Sequence, residues 1–155
     1  MGLYKSLYNR LENQHEAIEH MVTGQDPDRL NFHPEADKWS IHDNIAHLAK
    51  YQPLFVGRIN TILNEDNPFF GPYKAENDPD FETWRNYDTQ HLLKILTADR
   101  VMIFDLITDL PVEKLNRIGI HGKYGSLTMI QWAEFFLLHE AHHIFTIFRL
   151  ANDHG

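Results

Sequence analysis

The sequence predicts an all-α fold, an antiparallel four-helix bundle formed by one domain over residues 1–155. Four long stretches carry apolar residues at three- and four-residue steps, the pattern of helices that bury one stripe. Three breaks rich in Pro, Gly and Asp separate these stretches, and no strong strand pattern lies between them. A chain of 155 residues is the size of one domain and long enough to bury a core. Helices with one apolar face bury it against each other.

The first helix is expected over residues 3–22, where Leu3, Leu7, Leu11, Ile18 and Val22 share a face. A break with Pro27 and Pro34 follows. Ser40 then announces the second helix, capping its free N–H groups while Asp43 suits the positive helix end. That helix is expected to reach about residue 63, with a kink at Pro53, which lacks a backbone donor. After a second break, Asp78 is the expected cap of a third helix and Pro79 its first residue. Phe81, Trp84, Leu92, Ile95, Met102, Ile103, Leu106 and Leu110 line one face of it. The last break holds three glycines and an alternating stretch compatible with a short extended hairpin. Ser126 is the expected cap of the fourth helix, which runs to about residue 151. All three breaks are longer than a minimal bundle needs, and long connections often carry function.

Composition narrows the function classes. The chain has no cysteine, which removes disulfides, thiolate zinc sites and thiol nucleophiles together. A formal charge of −8 argues against nucleic acid, whose phosphates demand clustered Lys and Arg. No segment reads as a signal peptide or a membrane span, so a soluble cytoplasmic protein with a small-molecule substrate is expected.

Eleven histidines are many for this length, and some are organised. In His139-Glu140-Ala141-His142-His143, a helical advance of about 100° per residue stacks His139 over His143. Their face also carries Trp132, Phe135, Phe136, Thr146 and Leu150. Two imidazoles in an apolar stripe need a partner, because an unsatisfied buried polar group costs free energy. A divalent metal satisfies both rings; hydrogen bonds to neighbouring helices are the alternative. His142 lies about 60° off this face and belongs at a helix boundary or in solvent.

The same residues match H-E-x-x-H, the zinc-protease signature in which the Glu is the general base. The longer pattern requires Gly and His where Thr146 and Arg149 stand, and no ordered downstream carboxylate follows. A third ligand therefore lies upstream, and that argues against a protease. Pattern alone does not choose among His15, His47, His91 and His121.

The segment Trp39-Ser40-Ile41-His42-Asp43-Asn44-Ile45-Ala46-His47-Leu48 resembles W-S-I-x-E-x-x-x-H-L of the DinB/YfiT-like superfamily of metal-dependent enzymes. Arg117, Gly119, His121 and Tyr124-Gly125-Ser126-Leu127-Thr128, followed by the histidine-rich helix, agree with its C-terminal part. The resemblance implies an antiparallel four-helix bundle with a three-histidine metal site, His47 being the first ligand and His139 and His143 the others. It also implies thiol-dependent S-transferases or isomerases, with members of no known activity, and often dimers; the enzyme expected here transfers a thiol cofactor or hydrolyses a small substrate. Asp43 replaces the family's Glu, and Phe145-Thr146 replaces a usual Gly-Gln.

Three imidazoles leave a coordination position open, as in catalytic rather than structural sites. Zinc or nickel suits such a set best, iron or manganese also, and a low-molecular-weight thiol is a possible co-substrate. Asp43 and Glu140 are the candidate general bases. Asp88, Asp99 and His91 are candidates to line the pocket, or else form polar contacts between helices. His121 is assigned to a surface loop, and His15 and His20 to the surface. Trp39 and Tyr51 are pocket walls or core. Phe69, Phe70 and Tyr73 cover a pocket mouth or a dimer contact, and Phe145 and Phe148 are free to meet a second chain. The competing reading is a non-catalytic metal-binding or dimerising stress protein.

Overall fold

The computed structural model describes residues 2–153 and contains eight helices and three short strands. The first apolar stretch is two helices, α1 (Lys5–Asn13) and α2 (Glu16–Val22), broken at Gln14 and His15. A single helix over residues 3–22 was expected, and the break has a reason: both residues at the junction turn polar groups into the bundle. Asp26 caps a short α3 (Pro27–Asn31) inside the first break. Ser40 caps α4 (Ile41–Asn64) in a reciprocal box with Asp43, and the helix continues through Pro53.

The expected third helix is also two. Asp80, not Asp78, stands at the start of α5 (Phe81–Arg85), and Pro79 lies outside it. Asp88 caps α6 (Thr89–Thr108) by accepting from the Gln90 N–H, so its role is local. After α7 (Val112–Leu115), the glycine-containing break forms the hairpin of β2 (Ile118–His121) and β3 (Gly125–Thr128). Strand β1 (Phe69–Phe70) pairs in parallel with β2. Gly119 is required there, since a Cβ would lie 2.8 Å from the Ile62 side chain and 2.9 Å from Trp132 Nε1. Thr128 rather than Ser126 caps α8 (Met129–Asn152), in a box with Gln131. Ser126 is consumed by the strand.

Two apolar clusters lie at opposite ends of the bundle. One gathers Leu7, Leu11, Phe55, Ile59, Ile103, Ile107, Trp132 and Phe136; the other Ile18, Val22, Ile45, Leu48, Leu92, Leu96, Ile147 and Ala151. Following each helix from one cluster to the other gives its direction. The α1–α2 pair and α8 run one way, and α4 and α6 both run the other. Neighbours are thus mixed in direction: α4 packs parallel to α6 and antiparallel to α8, α1 packs antiparallel to α6, and the chain must travel the bundle's full length between α4 and α6. The second break is that crossover: Phe70 packs on the first cluster, Tyr73 on both, and Phe81 on the second. No helix among the described residues is long and apolar enough to cross a membrane.

Between the clusters lies a polar layer. Arg100 of α6, 1% exposed, pairs with Glu140 of α8, 2% exposed. Arg100 Nε donates to Gln52 Oε1 at 3.1 Å, and its NH1 approaches Leu11 O and His15 Nδ1, both at 3.4 Å. Gln14 Nε2 donates to Glu140 Oε1 at 3.0 Å and to Leu137 O at 2.9 Å. His15, expected at the surface, is therefore buried. Burial and the Arg100 charge push its pKa down to about 4.

Truncating one member of a buried ion pair strands the other charge, at a cost of about 3–5 kcal/mol. Glu140→Ala is expected to destabilise the protein by that amount in urea denaturation. A Glu140→Leu, Arg100→Met double variant is expected to recover most of it.

Candidate metal centre

Helices α4 and α8 bring together the three histidines of the two motifs. Each of His47, His139 and His143 offers one ring nitrogen, and these atoms lie within 4.8 Å of one another. His47 Nε2 and His139 Nε2 are 2.9 Å apart. Ring centroids are 4.5 Å apart for His47 and His143, and 4.8 Å for His139 and His143. His47 is buried and the other two are half-buried.

The N-terminal turn of α4 supports this cluster. Asn44 Nδ2 donates to Ser40 O at 2.8 Å, which fixes the amide and leaves Oδ1 to accept from His143 Nδ1 at 2.8 Å. That bond selects the His143 tautomer with a free lone pair on Nε2, the form a metal needs. Sequence reasoning missed Asn44; its place one turn before His47 on a helix face was the available signal. Trp39 packs on two ligand rings, 5.0 Å from His47 and 5.9 Å from His143. Tyr51 lies 4.3 Å from His139, and Tyr73 from the crossover stacks on His47 at 5.9 Å. Trp39 thus forms a wall of the cleft and Tyr73 covers it, whereas Tyr51 belongs to the core and packs on His139 from within. Phe70 instead meets Trp132, and Phe69 is exposed.

The donor set fits a divalent cation. His47 Nδ1 and His139 Nδ1 are buried with no hydrogen-bond partner among the described residues, so the two rings are poorly satisfied by protein alone. Burial holds all three rings neutral, the ligating form. It lowers the pKa of His47 to about 3, reinforced by His139 and His142. It lowers His139 to about 4, with His142 and Arg58 adding to it, and His143 to about 2, with the other three histidines adding.

The two candidate bases have other partners. Asp43 Oδ2 accepts from the Ser40 N–H at 3.0 Å and contacts His33 Nε2 at 2.7 Å, while Oδ1 accepts from Arg85 Nε at 2.8 Å. Burial alone would raise its pKa, but Ser40, Arg85 and His33 outweigh it and hold the carboxyl below the usual range. Glu140 is held by Arg100 and Gln14 in the polar layer. Asp99 is half-buried, His91 is exposed beside Tyr87, and neither lines the cleft over the three histidines. His121 is not a surface residue: it is 5% exposed, and its Nδ1 accepts the N–H groups of Lys123 and Tyr124. His142 is exposed, as expected.

A cleft of about 370 Å³ opens over the three rings between Trp39, Tyr73, Lys38 and Lys74. A larger one, about 760 Å³, reaches His143 and Asn44 from the other side. The arrangement can hold one cation and admit a small molecule to it.

Removing the Asn44 amide frees the His143 tautomer. Asn44→Ala is expected to weaken metal affinity about 10- to 100-fold without changing stoichiometry at saturation, as read by chelator competition. The buried neutral rings also set an acid limit on the metal-free protein. Below about pH 6.5 the unfolded chain takes up protons at His15, His47, His139 and His143 that the folded chain refuses. Stability is then complete above that pH and falls as pH drops from about 6.5 towards 4, by up to about 1.4 kcal/mol per pH unit for each ring. Urea midpoints across this window check it; His47→Gln should flatten the slope.

The model of the DinB superfamily matches residues 10–147. No curated protein matches the sequence. Among solved structures, the fold is similar to that of YfiT from Bacillus subtilis, described as "a probable metal-dependent hydrolase with an unusual four-helix bundle topology". The TM-score is 0.79 at 19% identity, covering 94% of this chain and 84% of that one. With the family pattern spanning nearly the whole bundle, helices α4 and α8 included, this chain belongs to the DinB superfamily.

Proposed function

We propose that the chain is a divalent-metal-dependent enzyme acting on small molecules, of the hydrolase or thiol S-transferase type, with His47, His139 and His143 as the metal ligands. The observation that carries this reading is the convergence of three neutral imidazoles, each offering one ring nitrogen within 4.8 Å of the others, beneath an open cleft. The description of YfiT as a metal-dependent hydrolase supports it. When bound, zinc or nickel, or iron or manganese, supplies a Lewis acid that lowers the pKa of a water or thiol beside it.

The chain's own residues hold and shield that chemistry. The imidazoles bind, Asn44 orients His143, and Trp39, Tyr51 and Tyr73 keep bulk water from the ligand rings. Asp43 and Glu140 act here by positioning: Asp43 fixes the first turn of α4, and Glu140 fixes the rotation of α8. The second reading, a non-catalytic metal-binding protein, is favoured by one observation, that both acids nearest the ligands in sequence are already ion-paired. The substrate is small and the location cytoplasmic in this proposal.

Untagged protein is expected to carry about one divalent metal per chain by elemental analysis, and His139→Ala and His143→Ala to lose it. Full metal retention in both variants would falsify the site. A screen of electrophiles with and without low-molecular-weight thiols then separates transferase from hydrolase, and no turnover of either kind favours the second reading.

Assembly is part of the proposal. Phe145 and Phe148, 60% and 47% exposed and stacked on each other, suit a two-fold helix contact. A homodimer is expected in sedimentation equilibrium at micromolar protein, and Phe148→Glu is expected to dissociate it.

A further inference from the structure

His139 borders two different spaces. It lines the cleft over the three histidines and also a cavity of about 640 Å³ between the β2–β3 hairpin and α8, so the two spaces adjoin at this residue. Tyr124 and Leu127 of the hairpin and Phe135 and Leu138 of α8 form its walls, and His139 and His142 lie at one end. Tyr124 and Phe135 are 5.5 Å apart and inclined at 59°, so both rings contribute aromatic surface to it.

Two polar side chains on this wall, Glu134 and Gln131, are already engaged. Glu134 is held by both Arg10 guanidinium nitrogens and by the Tyr4 hydroxyl. Gln131 is tied into the Thr128 capping box. A ligand entering here meets mostly aromatic and aliphatic carbon, with the His139 and His142 rings and the Tyr124 hydroxyl as polar groups and no Lys or Arg in the lining. Such a site disfavours anions and sugars and suits an uncharged aryl or short alkyl group. Leu138, 62% exposed, and Tyr124, 54% exposed, would be covered by it.

We propose that this cavity is the specificity pocket of the enzyme and holds the apolar aryl or alkyl part of the substrate against the His139 side of the metal centre. The inference rests on the metal-dependent reading given above, and it adds what that reading lacks, a substrate class. A small molecule is the better occupant than a second chain because the volume, about 640 Å³, is that of a small-molecule site and the lining includes His139 of the three-histidine cluster. Phe145 and Phe148, the residues assigned to the dimer, do not line it.

The test uses the uncharged fluorophore N-phenylnaphthylamine, titrated into the full chain with and without one equivalent of zinc. Saturable binding of one probe per chain is expected in both states, because the walls are protein. Leu138→Asp is expected to weaken it about tenfold or more and Tyr124→Ser by several fold, for the lost apolar contact. Both positions are exposed, so neither variant should unfold, and both should keep stoichiometric zinc. In histidine-labelled protein, the ring signals of His139 and His142 should shift on probe addition while those of His20 stay fixed. Unchanged affinity in both variants, or probe binding that leaves His139 unmoved, overturns the pocket. So does a wild-type dimer that excludes the probe and that Leu138→Asp converts to monomer, since the occupant is then a second copy. Loss of zinc binding in the wild type with intact probe binding would instead sink the metal reading and spare the cavity.

Discussion

Arg100 and Glu140 meet in the middle of the bundle, both almost fully buried, and four elements are tied to them. Gln14 and His15 reach in from the α1–α2 junction, Gln52 from α4, and the pair itself joins α6 to α8. A buried ion pair adds little net stability over apolar packing, but it tolerates very few geometries. Its consequence here is register. Glu140 lies directly between His139 and His143 in α8, so an ion pair that fixes its rotation also fixes the faces on which both histidines stand. The first helix is interrupted at the same level by a tighter turn, in which Ala17 and Ile18 donate three residues back, to Gln14 O and His15 O, while both junction residues keep helical backbone angles.

The three-histidine cluster occupies the same polar layer, and the helix directions decide what covers it. Because α4 and α6 run parallel, the connection between them returns along the outside of the bundle. It carries Tyr73 onto the ring of His47 and Phe81 to within 6.3 Å of it. Tyr73 is itself pinned, donating from its hydroxyl to Asp78 Oδ2 at 2.7 Å, and Asp78 pairs with Lys50 of α4 at 3.3 Å. The long second break is therefore a structural cover, and its length follows from topology.

A single helix turn does three tasks. Ser40 caps α4 through its side chain, accepts from Asn44 through its carbonyl, and donates its N–H to Asp43. Asn44 then orients His143 across the helix interface, and Asp43 binds Arg85 of α5 and His33 of the preceding loop. The turn that starts the helix is thus also the outer support of the three-histidine cluster. The shorter acid at position 43 still reaches its own cap and two neighbouring segments.

Much of this was legible in the residues themselves. Apolar spacing located the four long stretches, Ser40 and Asp43 marked the start of α4, and the four-residue step between His139 and His143 placed both on one face. These are local properties, governed by helix geometry and capping chemistry within a few residues. What depended on three-dimensional contact was not legible. The breaks at residues 14–15 and 86–88, the burial of His15 and His121, the parallel course of α4 and α6, and the roles of Asn44, Asp43 and Glu140 all rest on partners far away in sequence. Glu140 shows why: within H-E-x-x-H it has the spacing of a general base, and only the burial of Arg100 opposite it makes it the counter-ion of the core. By itself the sequence determined which segments are helical and which two histidines of α8 share a face, because periodicity acts along one chain segment. The tertiary structure alone decided which carboxylates are engaged and that the imidazoles converge, because charge pairing and ligand geometry exist only between segments.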